Sequence, residues 1–363
     1  MPPTVAIILP PKEGFSPDAV GAVGLLVRRH ALAADGFRSV VFGQAQARPF
    51  PGIKYHAVLP TWLPASATRR FAGGLLRALR ELRPDLVEVH NRPDVAMFLA
   101  ARLAIPVTLF LHNDPQGMRA ARSVADRAAL LGLARVVAVS GYIAGRMPPG
   151  VVVLPNCLDL ADIPLSPPER APLILFAGRV VADKGADSFV RACALALAQL
   201  PGWKAEMIGA DRFRANSPDT KFLASLRPLA EAASIAMPGY RPHADVLAAM
   251  ARAAIVVVPS RWAEPFGLTA LEALAAGAAL VYAPNGGLPE VVGDAGVPID
   301  PENPAALAEA LVALARDPAR RAALGEAGRA RAARFDPRRV VAELATLRRQ
   351  TLDAWPRGTS API

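Results

Sequence analysis

The chain has 363 residues, a length that suggests two domains at ~150 residues each, and with 53% hydrophobic and 20% charged residues it reads as a packed globular protein. No apolar run approaches the ~20 residues needed to cross a bilayer. The net charge of +10 would suit nucleic acid, but only five of the 41 basic residues are Lys, no basic run exceeds two residues, and few Arg sit among aromatics. Nucleic acid is therefore set aside in favour of an anionic membrane surface or a phosphorylated substrate.

The N-terminus, MPPTVAIILPPKEG, has no basic leader region, and its short apolar run reads as a first strand and not as a signal peptide. Apolar runs at 5–9, 40–42, 86–89, 107–111 and 136–139 alternate with Ala/Leu-rich helical segments. Continuous apolar strands separated by helices indicate a parallel sheet covered on both faces. Ligands of such sheets bind beyond the carboxyl ends of the strands, so the residues just after each strand matter most. After the first strand, Gly21 opens a helix expected over 22–34. Gly21 and Gly24 do not form GxGxxG, which disfavours a dehydrogenase. Gly21 is either a helix-start glycine or a place where backbone approaches a ligand.

The segment 69–83 (RRFAGGLLRALRELR) is amphipathic, with Phe71, Leu75, Leu79 and Leu82 on one face and Arg70, Arg77 and Arg80 opposite. It packs on the sheet with a solvated basic face, or it lies on a membrane surface. Two His-Asn pairs, His90-Asn91 and His112-Asn113, follow consecutive strands. Their position favours a functional reading for His112 and, less, for His90. Neither a GxSxG elbow nor a metal-ligand spacing accompanies them. Cys157 and Cys193 form no CxxC or Cys/His pattern, which fits a reducing cytoplasm; no metal and no cofactor are expected.

The Pro-rich run 159–172 is the domain boundary, giving an N-terminal domain over 1–163, a C-terminal domain over 164–340 and a terminal helix and tail over 341–363 that packs back toward the N-terminal domain. The tail ends in a Pro/Gly/Ser tip expected to be mobile. In the second half the runs 173–176, 205–208, 255–258 and 279–282 are strands. Arg179 and Lys184 come just past the first of these, where two cations suit a diphosphate; the alternative is surface pairing of Lys184 with Asp183 or Asp187. A polar loop is expected over 210–221. The stretch 259–290 (PSRWAEPFGLTALEALAAGAALVYAPNGGLPE) reads as loop, helix closed by Gly277, strand and loop. It offers the backbone N–H groups of Phe266, Gly267 and Leu268 at a helix start, between Glu264 and Glu272. Thr269 and Glu272 also have capping-box spacing.

Together these residues resemble a family. Glu264-PFGLTAL-Glu272 is similar to the two-glutamate signature of family 4, group 1 retaining glycosyltransferases. FAGRVVADKG, LPNCLD, VPSRWAEPFGLTALEALAAG and NGGLPEVV are similar to further segments of that family, with Cys157 where it usually has Gly. GAVGLLVRR, EVHNRPD and LHND resemble the spore-coat-like and cell-surface polysaccharide members. The resemblance implies an α/β, GT-B fold: two Rossmann-like, doubly wound parallel-sheet domains facing a cleft.

It further implies a retaining, metal-independent glycosyltransferase of surface polysaccharide biosynthesis that uses a nucleotide-diphosphate sugar of UDP or GDP type. The implied acceptor is a glycan or a polyprenyl-linked glycan, and the implied place is the cytoplasm, with peripheral association at the inner membrane face. Arg179 and Lys184 would grip the diphosphate, Glu272 the ribose and Glu264 the sugar. The amides of Phe266, Gly267 and Leu268 would meet phosphate or sugar. Gly21 would approach the phosphate, though Val20 stands where the family often has a second Gly, and His112 would sit by the transferring sugar. No DxD motif is present. A GT-B-fold nucleotide-sugar epimerase and a catalytically silent structural homologue are the alternatives.

Overall fold

The computed structural model describes residues 1–17, 19–32, 36–62, 64–212 and 217–355. The chain forms two units, one of Met1–Cys157 with Pro337–Ile363 and one of Leu158–Asp336. The last residues of the helix expected over 22–34, part of the loop expected over 210–221, and the tip of the tail lie outside the described residues.

The first unit contains strands β1 (Thr4–Ile8), β4 (Arg38–Gly43), β5 (Lys54–Ala57), β6 (Leu86–His90), β7 (Val107–Leu111), β8 (Arg135–Ala138) and β9 (Val152–Val153) in one sheet, and a small antiparallel pair, β2 (Phe15–Ser16) and β3 (Ala19–Val20). The sheet order is β5-β4-β1-β6-β7-β8-β9, and every pairing in it is parallel. All five residues of β1, β6 and β7 are buried, as strands covered on both faces require. Helix Ala67–Leu82 buries Phe71, Leu75 and Leu79, and the Ser66 hydroxyl caps it by accepting from Arg69 N at 3.3 Å.

The C-terminal helix Pro337–Ala354 belongs to this unit. Val340, Leu344 and Leu347 share a core with Leu26, Phe110, Val137 and Leu154. Arg348 adds a buried ion pair, donating from Nε and Nη2 to the two oxygens of Glu88, each at 2.8 Å. Glu88 is thus a structural residue inside β6.

The second unit holds β10 (Ala171–Ala177), β11 (Lys204–Ile208), β12 (Ile235–Gly239), β13 (Ala253–Val258), β14 (Ala279–Tyr282) and β15 (Gly296–Pro298). They form a parallel sheet in the order β12-β11-β10-β13-β14-β15. All six residues of β13 (AAIVVV) are buried. Helices Ala186–Leu197 and Pro304–Arg316 pack together, as do Leu268–Ala275 and Pro318–Ala332. Each sheet starts at an interior strand and grows first one way and then the other. The order reverses between β1 and β6, and between β10 and β13. The carboxyl ends at such reversals leave a crevice where open α/β sheets take ligands.

Candidate active site

At the reversal in the second unit, β10 runs out into Gly178-Arg179 and then a turn, Ala182–Lys184. Next to it β13 runs out into Pro259-Ser260. Gly185 brings the two exits together: its φ is +68°, and a Cβ there would lie 1.9 Å from the Pro259 carbonyl oxygen. Trp262 N donates to Asp183 O at 2.8 Å. Arg261 holds both oxygens of Asp187 at 2.6 and 3.0 Å and reaches Glu302 at 2.6 Å. A bidentate Arg clamp of this kind fixes geometry as well as charge.

Glu264 lies three residues further along the same loop. Its Oε1 pairs with Lys184 Nζ and accepts from the Ser260 hydroxyl at 2.8 Å. Lys184 therefore pairs with Glu264, not with Asp183 or Asp187. The Glu264 backbone is held by Gly287 N, which donates to its carbonyl at 2.7 Å, and by a bridge to Gly286. Gly286 has φ +66°, and a Cβ there would stand 2.3 Å from the Glu264 carbonyl oxygen, so only glycine fits. Asn285 Nδ2 donates to Ser260 O at 2.8 Å, tying the loop after β14 to the same point.

Helix Leu268–Ala275 starts beside Glu264 with Gly267 as its N-cap and no side-chain cap. Thr269 is already inside the helix, so the capping-box reading of Thr269 and Glu272 does not hold. Among the described residues, the N–H groups of Phe266, Gly267 and Leu268 have no acceptor. They form an anion-seeking helix start. The Phe266 ring is buried edge-on to Phe335, at 5.6 Å between centroids, so only its backbone faces the site. Glu272 Oε1 lies 2.8 Å from His243 Nε2. The Arg179 guanidinium is half-buried and has no side-chain partner among the described residues. The exits of β10 and β13 thus present an uncompensated cation, an ammonium shared with one carboxylate, and free backbone donors.

In the first unit, Gly21 precedes helix Ala22–Leu32, and the Glu13 carboxylate occupies the start of that helix. Glu13 Oε1 accepts from Gly24 N at 2.9 Å, and a Cβ on Gly21 would come within 2.4 Å of the same oxygen. Burial raises the Glu13 pKa, while the N–H groups of Gly24 and Gly21 act against it.

His112 follows β7, and its Nε2 lies 2.9 Å from Nδ1 of His90, the last residue of β6. The rings stack, and His90 also stacks on Phe110. Asn91 Oδ1 accepts from His112 N at 3.1 Å. His90 Nε2 is buried and has no partner among the described residues. An orphaned N–H is the rarer and costlier arrangement, so we assign the proton of His90 to Nδ1, donating to His112. That leaves His112 with its proton on Nδ1, the nitrogen free to meet a ligand. Burial pushes the His112 pKa down to about 4 and holds His90 well below the usual range. Near pH 7 His112 is a neutral hydrogen-bond donor and not an acid.

The sequence motifs located Glu264, Lys184, Arg179 and the helix start. They did not indicate Ser260, His243 or the Arg261–Asp187 clamp, whose roles depend on which strand ends are neighbours. The family model for glycosyl transferases group 1 matches residues 162–331, and the model for glycosyltransferase family 4 matches residues 27–162. A D-inositol 3-phosphate glycosyltransferase of Segniliparus rotundus is 29% identical over 328 residues, covering 80% of this chain and 70% of that protein. A GDP-mannose-dependent monoacylated alpha-(1-6)-phosphatidylinositol monomannoside mannosyltransferase of Corynebacterium glutamicum is 32% identical over 171 residues, covering 45% of this chain and 42% of that one.

Among solved structures, sucrose-phosphate synthase of Thermosynechococcus elongatus superposes with a TM-score of 0.76 at 20% identity, covering 97% of this chain and 100% of that one. Anabaena HepE, in complex with UDP and glucose, does so with a TM-score of 0.74 at 19% identity, covering 97% and 100%. The two family models meet at residue 162 and together run from 27 to 331, and the chain belongs to the family 4, group 1 glycosyltransferases, sugar-transferring enzymes of GT-B fold.

Proposed function

We propose that the chain transfers a sugar, with retention, from a nucleotide-diphosphate sugar of UDP or GDP type to a glycan or lipid-linked acceptor of surface polysaccharide synthesis. One observation carries this reading: Arg179, Lys184 and the free amides of 266–268 gather where β10 and β13 end, with Glu264 among them. Breaking the bond between sugar and diphosphate leaves extra negative charge on the diphosphate and an oxocarbenium-like sugar. Preorganised positive charge on the leaving group is the largest help available, worth ~2–4 kcal/mol for each strong donor. In this reading Arg179 and Lys184 take the diphosphate, Glu272 the ribose and Glu264 the sugar hydroxyls. His112 is read as a donor-binding residue through Nδ1–H, and Gly21 as one only once the Glu13 carboxylate, which now holds the N–H groups of Gly21 and Gly24, moves aside. Attack comes from the face the diphosphate leaves, and a departing phosphate oxygen takes the acceptor proton.

UDP in the HepE structures and GDP-mannose in the mannosyltransferase's name support this donor class. Peripheral association at a cytoplasmic membrane face is supported by Trp62 and Leu59, 87% and 69% exposed, beside the exposed Arg70, Arg77 and Arg80 of helix Ala67–Leu82. Thr61 N donates to Arg70 O at 3.0 Å, so that loop lies along the helix. Apolar side chains next to arginines suit an anionic interface. The test is nucleoside-diphosphate release from UDP- and GDP-sugars in a chelating buffer. Glu264→Ala or Lys184→Ala should each reduce release by about a hundredfold. Wild-type rates in both variants, or complete loss of wild-type activity in chelator, would refute the assignment.

A further inference from the structure

Helix Ala67–Leu82, helix Pro93–Ala100 and the turn after Pro115–Gly117, all in the first unit, border a groove of about 640 Å³. Three arginines line it: Arg69, Arg102 and Arg119. Arg102 is laid flat, its guanidinium 4.1 Å above the Phe98 ring and its Nη1 donating to Phe98 O at 3.1 Å. Neither Arg69 nor Arg119 has a side-chain partner among the described residues. Asp94 is the one acid on the groove wall among the described residues, and it is already taken. Arg92 holds both its oxygens, at 2.9 and 2.8 Å, and anchors itself on Thr68 Oγ1 at 2.9 Å.

Three positive charges therefore share one concave space with no counter-charge of their own. All three positions are exposed, so solvent screens them from one another, but their charges add to one positive potential over the groove. The start of the 16-residue helix adds its positive end on the same side. The turn that carries Arg119 is itself set: Ala120 has φ +63°, unusual for a residue with a side chain. Between the arginines the wall is apolar, made by Met97, Phe98 and Ala72. An inorganic anion would meet the charges and leave that wall bare. Guanidinium groups fit phosphate oxygens in pairs, and a carbon skeleton attached to the phosphate would cover the wall.

We propose that this groove binds a phosphate ester, its phosphoryl group on Arg69, Arg102 and Arg119 and its organic part against Met97 and Phe98. A soluble polyol phosphate and a phospholipid headgroup share this chemistry. That the ester is the sugar acceptor rests on the transferase reading above. The binding itself does not, and it is measured without donor.

The experiment uses the intact chain. sn-Glycerol 3-phosphate is titrated by ³¹P NMR, with glycerol as the uncharged control, and co-sedimentation is measured with phosphatidylcholine vesicles with and without phosphatidylglycerol. The test variant is Arg69→Glu/Arg119→Glu, both at exposed positions. The matched control is Arg191→Glu/Arg320→Glu, which changes net charge equally in the other unit. The groove variant should lose about tenfold or more in affinity while the control stays close to wild type. A loss seen with glycerol 3-phosphate identifies a soluble ester as the ligand, and a loss confined to phosphatidylglycerol vesicles identifies the headgroup. Equal affinity in both variants, or no binding of either probe by the wild type, overturns the proposal. Failure of sugar transfer would leave a positive binding result standing.

Discussion

Glu264 and Lys184 neutralise one another, and this predicts opposite effects from removing the two charges. Lys184 Nζ contacts Glu264 Oε1, and their side chains are 23% and 13% exposed. A diphosphate must compete with Glu264 for that ammonium. Pairs at the surface are worth ~0.2–1 kcal/mol, and this one is more enclosed, so the competition costs about 1–2 kcal/mol. Glu264→Gln removes the competitor and keeps the shape. Nucleoside diphosphate should then bind roughly five- to thirtyfold more tightly, even as sugar transfer falls. Lys184→Met removes the cation, and both binding and transfer should fall, transfer by about 10²–10³. Calorimetric titration of UDP and GDP with each variant, next to donor-turnover assays, reads both quantities. Weaker nucleotide binding in Glu264→Gln, with unchanged binding in Lys184→Met, would refute this account of the pair.

Three other outcomes follow from the same structure. Burial holds His30 at about 3 and His112 at about 4, against an ordinary value of 6.5, so the unfolded chain binds their protons first as pH falls. Their contribution is complete above pH 6.5 and is lost from there down, towards 4 for His112 and towards 3 for His30. His112 alone accounts for about 2 kcal/mol at pH 5. Glu13, whose pKa is raised, opposes this loss at its lower end. Urea unfolding at pH 7 and pH 5 should show the drop, and His112→Asn should remove about 2 kcal/mol of it while the His30 share remains; an equal drop in the variant and the wild type would contradict the His112 contribution. Arg348→Met strands Glu88 in the core and should cost about 3–5 kcal/mol, and Glu88→Leu in the same chain should recover most of it; a single variant as stable as wild type would remove the ion pair from the account. His90→Asn keeps an N–H near the position of Nδ1 and should keep His112 protonated on Nδ1, as read by ¹⁵N NMR, whereas His90→Leu should not; the same tautomer in both would dismiss the positioning role.

The strands legible in the sequence were those buried on both faces. The runs in β1, β6, β7, β10 and β13 are mostly Val, Ile, Leu, Ala and Phe because both faces are covered over nearly their whole length; Thr4, Glu88, His90 and Thr108 are buried among them, and only Ala171 and Pro172 at the start of β10 meet water. β5, with the sequence KYHA, is a mostly exposed edge strand, and β9 has two residues, so neither gives an apolar run. Glu264, Lys184 and Arg179 were legible because each lies just after a strand within a recognisable segment. The partner of Lys184 was not, since that pairing joins residues 80 positions apart and depends on β10 lying next to β13. Ser260 and His243 lack any sequence signal of their own. Glu13 was passed over for the same reason, because only the folded chain places its carboxylate on the helix that Gly21 opens.

In the proposed reading a nucleotide diphosphate binds where β10 and β13 end. Arg179 tests it most directly, because its guanidinium has no side-chain partner among the described residues to lose on substitution. Arg179→Ala should leave the thermal midpoint of the free chain close to wild type. It should weaken UDP or GDP binding by about 1.5–3 kcal/mol, roughly ten- to a hundredfold. Nucleotide affinity unchanged in Arg179→Ala, with the free variant still folded, would contradict the account.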